Sequence, residues 1–275
     1  MVEFPVLQYN KRRDNLMPYC RFRPFQPGHE AGVDYFLESD ENLFQDFIPL
    51  SFYQFQVSSH SNGWFSTIPD GCIDILICCS PEHSNTFVYG HLPKTKKIKV
   101  HTGADYFGIR LPYGLFFTLF QASAKEMQDE VYTLQEVSSS PPAIEEPLMR
   151  AVDFGERVHI AKKKLLPFLT CMEHPIIRHV LQTAYFTKGT IPVRALSKET
   201  GYSERYLRRL FSDHFGLSPK QFFEVVRFQH SLSLLKTYSV DDVLEENGYY
   251  DQSHMSNEFK KFGYITPMQS SQLFS

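Results

Sequence analysis

Ala195-Leu-Ser-Lys-Glu-Thr-Gly-Tyr-Ser-Glu-Arg-Tyr-Leu-Arg-Arg-Leu-Phe211 runs on to His214-Phe-Gly-Leu-Ser-Pro219. The pattern returns at Val243-Leu-Glu-Glu-Asn-Gly-Tyr-Tyr-Asp-Gln-Ser-His-Met-Ser-Asn-Glu-Phe-Lys-Lys-Phe-Gly263, closing with Tyr264-Ile-Thr-Pro267. Gly201 and Gly248 lie 47 residues apart, Phe211 and Phe259 48, and Phe215 and Phe262 47. Each copy reads as a short helix, a turn carrying glycine, and a capped amphipathic helix, which is the helix-turn-helix pattern of a DNA reader. The competing reading, two ordinary helical hairpins with solvated polar faces, is weakened by the repetition.

The local chemistry supports these boundaries. Gly201 and Gly248 sit where the chain leaves a helix and needs a positive φ. Ser203 and Asp251 stand as N-caps of the second helices. Leu207, Leu210 and Phe211 make an apolar stripe at helical spacing, as do Met255, Phe259 and Phe262. The opposite faces present Arg205, Arg208 and Ser212, then Gln252, Ser253, Ser256, Asn257 and Lys260. Arginine pairs bidentately with guanine and glutamine or asparagine with adenine, so these residue types suit the major groove. Ser218-Pro-Lys-Gln221 and Thr266-Pro-Met-Gln269 are capping boxes with proline in the first turn. The first opens a predicted long helix, Phe222 to Leu235, with Phe222, Val226, Leu232 and Leu235 expected inside. It would space the two readers so that they meet successive turns of one DNA face, about 34 Å apart.

With those residues in place, positions from about 190 to 275 resemble the DNA-binding domain of the AraC/XylS family of bacterial transcription regulators. Gly201, Ser203, Leu207, Arg209 and Phe211 match the first unit of that pattern, Gly216 to Pro219 match its Gly-x-Ser-Pro, and Arg227, Leu234 and Leu235 match the spacer. Gly248, Gln252, Ser253, Phe259, Lys260 and Lys261 fall in register in the second unit. The resemblance implies base contacts by Arg205, Arg208, Arg209, Gln252, Ser253, Ser256 and Asn257, and phosphate contacts by Ser203, Lys260 and Lys261. Arg209 has a competing role, bracing its unit against an acidic neighbour. The second unit departs from the family pattern at Leu244, Asn247, Met255, Asn257, Ser270 and Ser271, which leaves base reading by that unit open.

Charge bears on affinity. From Thr190 on, ten Lys/Arg face ten Asp/Glu. A neutral domain gains little non-specific attraction to DNA, so tight binding is expected to need dimerisation or an effector. The whole chain, 275 residues with net charge −3 and 42% apolar residues, has room for two cores. Five cysteines (Cys20, Cys72, Cys78, Cys79, Cys171) lack zinc-ribbon spacing and point to reduced thiols. No signal peptide or long apolar run is read, so the expectation is a cytoplasmic protein with no membrane partner.

The first 135 or so residues are strand-rich: Phe52 to Val57, Ile73 to Ile77, Thr86 to Tyr89, Lys97 to Val100 and Tyr106 to Leu111, separated in places by turn clusters. A short helix is expected from about Tyr113 to Phe120. The predicted fold class is therefore α+β: a β-rich cupin-like barrel or sandwich, then an all-α domain with two helix-turn-helix units. Pro69-Asp-Gly-Cys-Ile-Asp74 and Gly108-Ile-Arg-Leu111 are similar to one class of N-terminal domain in the same family, which implies a sensing or dimerising role. The expected organisation is residues 1–135 as that domain, 136–189 as linker and connecting helices (near 154–171 and 174–187), and 190–275 as the reader.

Asp74 and Arg110 are candidate polar anchors for a small effector in an aromatic-rich pocket, with structural ion pairing as the plainer alternative. His60, Cys72, Asp74, His83, His91 and His101 are metal-ligand residue types, but their spacing supports no metal site. No catalytic arrangement stands out, so neither enzyme nor cofactor is expected. Double-stranded DNA is the expected partner, and by family analogy RNA polymerase, a small-molecule effector and a second copy of the chain. The leading reading is an activator answering to an effector. The alternatives are an effector-free regulator gated by a protein on the N-terminal domain and, more remotely, a metal-dependent cupin enzyme fused to a DNA reader.

Overall fold

A computed structural model of the chain describes residues 24–26, 32–41, 50–171 and 174–274. Among these, strands fill the N-terminal part and helices the C-terminal part, an α+β arrangement. Cys20 lies outside the described residues.

The strands are β1 (Val33–Glu41), β2 (Leu50–Val57), β3 (Trp64–Thr67), β4 (Cys72–Cys78), β5 (Thr86–Tyr89), β6 (Lys96–Lys99), β7 (Asp105–Pro112), β8 (Leu115–Phe117), β9 (Val131–Thr133) and β10 (Leu169–Cys171). Six form one sheet in the order β1-β2-β7-β4-β5-β9, antiparallel throughout, while β3 pairs with β6 and β8 with β10. The central strands are apolar on both faces because both faces are covered. Ile73, Ile75 and Ile77 of β4 join a core completed by Leu148, Val158, Ala161 and Leu165 from two helices. Leu76 and Cys78 of the same strand face Phe65 and Ile98 of the β3–β6 pair. Gly108 of β7 has no substitute, since a Cβ there would lie 2.0 Å from the Tyr53 ring.

The helices are α1 (Leu134–Val137), α2 (Glu145–Arg150), α3 (Phe154–Leu165), α4 (Pro175–Phe186), α5 (Val193–Thr200), α6 (Glu204–Phe215), α7 (Pro219–Leu234), α8 (Val240–Glu246), α9 (Gln252–Lys261) and α10 (Pro267–Phe274). α2 and α3 cover the large sheet, whereas α4 packs with α6 and α7. α7 serves two cores. Phe222, Phe223 and Val226 bury against α4 and α6, while Val225, Phe228 and Leu232 bury against α8 and α9. Among the described residues, no helix is long and apolar enough to cross a membrane.

Two local expectations are corrected. Tyr113 to Phe120 is not helical: Gly114 takes φ +94°, the chain turns back, and Leu115–Phe117 becomes β8. The helix expected near 154–171 stops at Leu165, where Pro167 lacks the N–H a further turn needs; Leu169–Cys171 then pairs with β8.

The strand-rich part also touches the helical part. Tyr113 packs edge-on against Phe215 and Phe222, with ring centroids 4.9 and 5.3 Å away. Thr95 donates both its backbone N–H (2.7 Å) and its hydroxyl (2.9 Å) to the carbonyl of Phe262.

Candidate nucleic-acid interface

In the first unit Leu196 of α5 and Leu207, Phe211 and Phe215 of α6 are buried, which leaves the other face of α6 to solvent. Gly201 ends α5 at φ +73°. The Ser203 hydroxyl then accepts from the Tyr206 N–H at 3.2 Å and starts α6. Arg205, Arg208 and Arg209 are all exposed and stand together on this helix. Arg208 donates to Glu204 at 2.8 Å, an exposed pair one turn apart that is worth little in water. Arg209 lies over the Tyr206 ring, 5.7 Å from its centroid, and the acidic brace weighed from sequence is not formed among the described residues.

The second unit repeats the frame with different chemistry. Gly248 takes φ +63°, and the Asp251 carboxylate accepts from the His254 N–H at 2.7 Å to start α9. Met255 and Phe259 are fully buried. Gln252, Ser253, Asn257 and Lys260 are exposed and Ser256 is half-buried, so the expected base-facing set shares one side of α9. Lys261 is engaged differently from the expected phosphate role: its ammonium binds Glu224 of α7, leaving Lys260 as the more available cation of the pair.

Behind α9 lies a buried polar network. Arg227 of α7 forks onto both oxygens of Glu258, whose Oε1 also accepts from the Tyr249 hydroxyl at 2.8 Å. Tyr249 meets Ser231 at 3.0 Å, Asn247 Nδ2 donates to Ser231 at 2.9 Å, and Asn247 Oδ1 meets His230 Nδ1 at 2.6 Å. Burial lowers the His230 pKa, which Asn247 partly opposes. Asn247, a departure from the family pattern, is thus fully buried and satisfied on α7. Sequence placed Arg227 in the spacer without a role. Its partner Glu258, 31 positions away, carries no local cue because the fold alone brings them together.

Asp74 and Arg110, the expected effector anchors, face each other across the β4–β7 register. Arg110 Nε lies 3.1 Å from Asp74 and 3.4 Å from Asp70, all three buried, and Tyr53 donates to Asp74 at 2.9 Å. Burial raises the Asp74 pKa to about 6, although Arg110 pulls it down. Burial alone would lower the Arg110 pKa, but the two carboxylates outweigh it and hold the guanidinium charged. A small recess of about 20 Å³, room for about one water, is lined by Tyr53, Thr67, Asp70, Asp74 and Tyr89 among others. The buried Thr67 hydroxyl beside it lacks a hydrogen-bond partner among the described residues.

Asp70, not singled out from sequence, extends this cluster towards the reader. It accepts from Gln26 Nε2 at 2.7 Å, and next to it the Pro69 carbonyl accepts from Gln229 of α7 at 2.7 Å. Its cue was the Pro69-Asp-Gly turn, whose aspartate also accepts from the Cys72 N–H at 2.9 Å. The metal-ligand residue types do not converge: His83 and His101 stack at 3.7 Å, His91 is buried on Tyr113, and no cluster of three ligand types occurs among the described residues.

Parts of the chain are similar to known proteins. Residues 196–272 match a family model described as a helix-turn-helix domain, and residues 45–133 match a domain of unknown function (DUF6597). The chain is 43% identical over 65 residues to YidL of Escherichia coli, described as an uncharacterized HTH-type transcriptional regulator; the match spans 22% of each protein. Among solved structures, the C-terminal domain of AraT, a response regulator from Geobacillus stearothermophilus, aligns at 23% identity with TM-score 0.33, covering 36% of this chain and 85% of that one. ToxT from Vibrio cholerae aligns at 9% identity with TM-score 0.41, covering 87% and 98%.

Proposed function

We propose that the chain is a sequence-specific, DNA-binding regulator of transcription, because residues 196–272 match a helix-turn-helix domain. The observation that carries this reading is the pair of capped helices α6 and α9, each with one face buried on α7 and the other lined with groove-reading residue types. Arg205, Arg208 and Arg209 read bases from α6; Gln252, Ser253, Ser256 and Asn257 do so from α9; Ser203 and Lys260 hold phosphates.

The finer reading is an activator that answers to a small molecule in the strand domain. What supports it is position: next to the buried Asp70–Arg110–Asp74 cluster, the Pro69 carbonyl accepts from Gln229 of α7, the helix on which both units rest.

Selection of DNA from sheared genomic fragments by the full chain, followed by footprinting, tests the proposal. The expected result is an asymmetric protected site of about 20 bp, two major-groove turns on one face. Absence of any enriched sequence, with and without the small-molecule fraction of a cell extract, would overturn it.

A further inference from the structure

The two units differ in the length of the turn before the second helix. From Gly201 to the cap at Ser203 there is one intervening residue, Tyr202; from Gly248 to the cap at Asp251 there are two, Tyr249 and Tyr250. In the first unit Tyr202 is half-buried and stacks on Tyr206, with centroids 5.0 Å apart. In the second, Tyr249 takes the inward place, with its ring 5.4 Å from His254 and its hydroxyl on Glu258. The added residue has no place left in the core. Tyr250 is 92% exposed, against 53% for Tyr238 and 50% for Trp64.

Position gives that ring a use. The N-terminal end of the second helix is where a helix-turn-helix unit meets the groove, and the residues flanking that end meet the sugar-phosphate backbone. Tyr250 stands one residue ahead of the cap and two ahead of Gln252, the first outward residue of α9. Asp251 puts a carboxylate beside it, which repels a phosphate, so a contact here needs an arm that reaches past the cap. A tyrosine supplies that arm: a flat apolar ring to lie on deoxyribose and a neutral hydroxyl to donate to a phosphate oxygen. It also orders with little entropy cost, having few rotatable bonds.

We propose that Tyr250 is a DNA-backbone contact of the second unit, set outward by the extra turn residue and seating α9 in the groove. The proposal rests on the DNA-reading function above and adds a residue that neither the repeat nor the family pattern marks.

Duplexes enriched by the wild-type chain from a random-sequence library serve as the probe, with affinity followed by fluorescence anisotropy across a series of KCl concentrations. Tyr250→Ala is expected to weaken binding about tenfold, the size of one hydrogen bond to a charged acceptor. The factor should be the same when bases under α9 are changed. Tyr250→Phe, which keeps the ring and lacks only the hydroxyl, should show an intermediate loss. The salt slope should stay at the wild-type value in both, because a neutral group releases no counterion, whereas Lys260→Ala should lower it. The side chain is exposed, so unchanged thermal unfolding should accompany both losses.

Affinity of Tyr250→Ala within about twofold of wild type, in an assay where Arg208→Ala binds more weakly, would overturn the contact and leave the DNA-reading function standing. A changed base preference in Tyr250→Ala would overturn the backbone assignment in favour of a base contact. Failure of the wild-type chain to enrich any duplex would remove the DNA-reading function and this contact with it.

Discussion

The two helix-turn-helix units share one backbone plan and use their charges in opposite ways. In the first, three arginines stand exposed on α6, and the packing behind them is apolar: Leu207 and Phe211 against Phe222 and Val226. In the second, α9 presents neutral amides and hydroxyls ahead of Lys260, and an ion pair points inward, with Glu258 buried and Arg227 half-buried at the seam with α7. Apolar packing holds a helix without prescribing its rotation closely, while a forked ion pair with further hydrogen bonds is directional. In the proposed function the first unit therefore brings charge to the DNA. The second brings a fixed angle.

That contrast can be broken at several points, the largest effect first. Glu258→Ala takes the forked partner from the half-buried Arg227, and about 1.5–3 kcal/mol of stability should be lost on urea unfolding. A much smaller loss would mean that the network does not hold α9. Next come the arginines: Arg205→Ala or Arg208→Ala should cost about 1–3 kcal/mol at a selected site and relax its specificity at one base pair. An equal loss on every sequence would make them phosphate contacts.

Asn247→Leu, which restores an apolar residue, removes the partner of His230 Nδ1, while the Ser231 hydroxyl keeps Tyr249 and the Arg227 carbonyl. It should destabilise by about 1–3 kcal/mol without altering base preference in a selection experiment. Replacing Gln252 or Asn257 by Ala sharpens the comparison most: a loss of about 1 kcal/mol confined to particular bases would show α9 reading sequence, and no loss would leave it a positioning element.

The smallest effect is a pH dependence. His230 has a folded pKa below its unfolded value, so its contribution to stability is complete above the ordinary histidine range and is lost as pH falls through the lowered value. Acidification from neutral pH should loosen the second unit before the first, seen as earlier hydrogen exchange in α8 and α9, and His230→Gln should remove the difference.

Much of the reader was legible because its determinants are local. Caps at Ser203, Ser218, Asp251 and Thr266, positive φ at Gly201 and Gly248, and the stripes on α6 and α9 each depend on residues within one or two turns of each other. The strand domain was legible in its strands and less so in its joints. The apolar run Tyr113 to Phe120 suits a helix as well as a strand, and its pairing with β10, about fifty residues on, decided between them. Asp74 and Arg110 were visible as candidates, but their pairing follows from the β4–β7 register, and Asp70 joined them through a turn.

By itself, then, the sequence determined where helices begin and end in the reader, which faces are apolar, and that the unit occurs twice, since propensity, capping and periodicity act over a few residues. Only the tertiary structure decided that Asn247 is a satisfied core group, that Lys261 is bound to Glu224, that the Asp70–Arg110–Asp74 cluster adjoins α7, and that Tyr250 is left outside. Each of those depends on partners or packing set by residues distant in the chain. A side chain's burial and charge pairing are properties of the space it lands in, and that space is defined once distant strands and helices have closed around it.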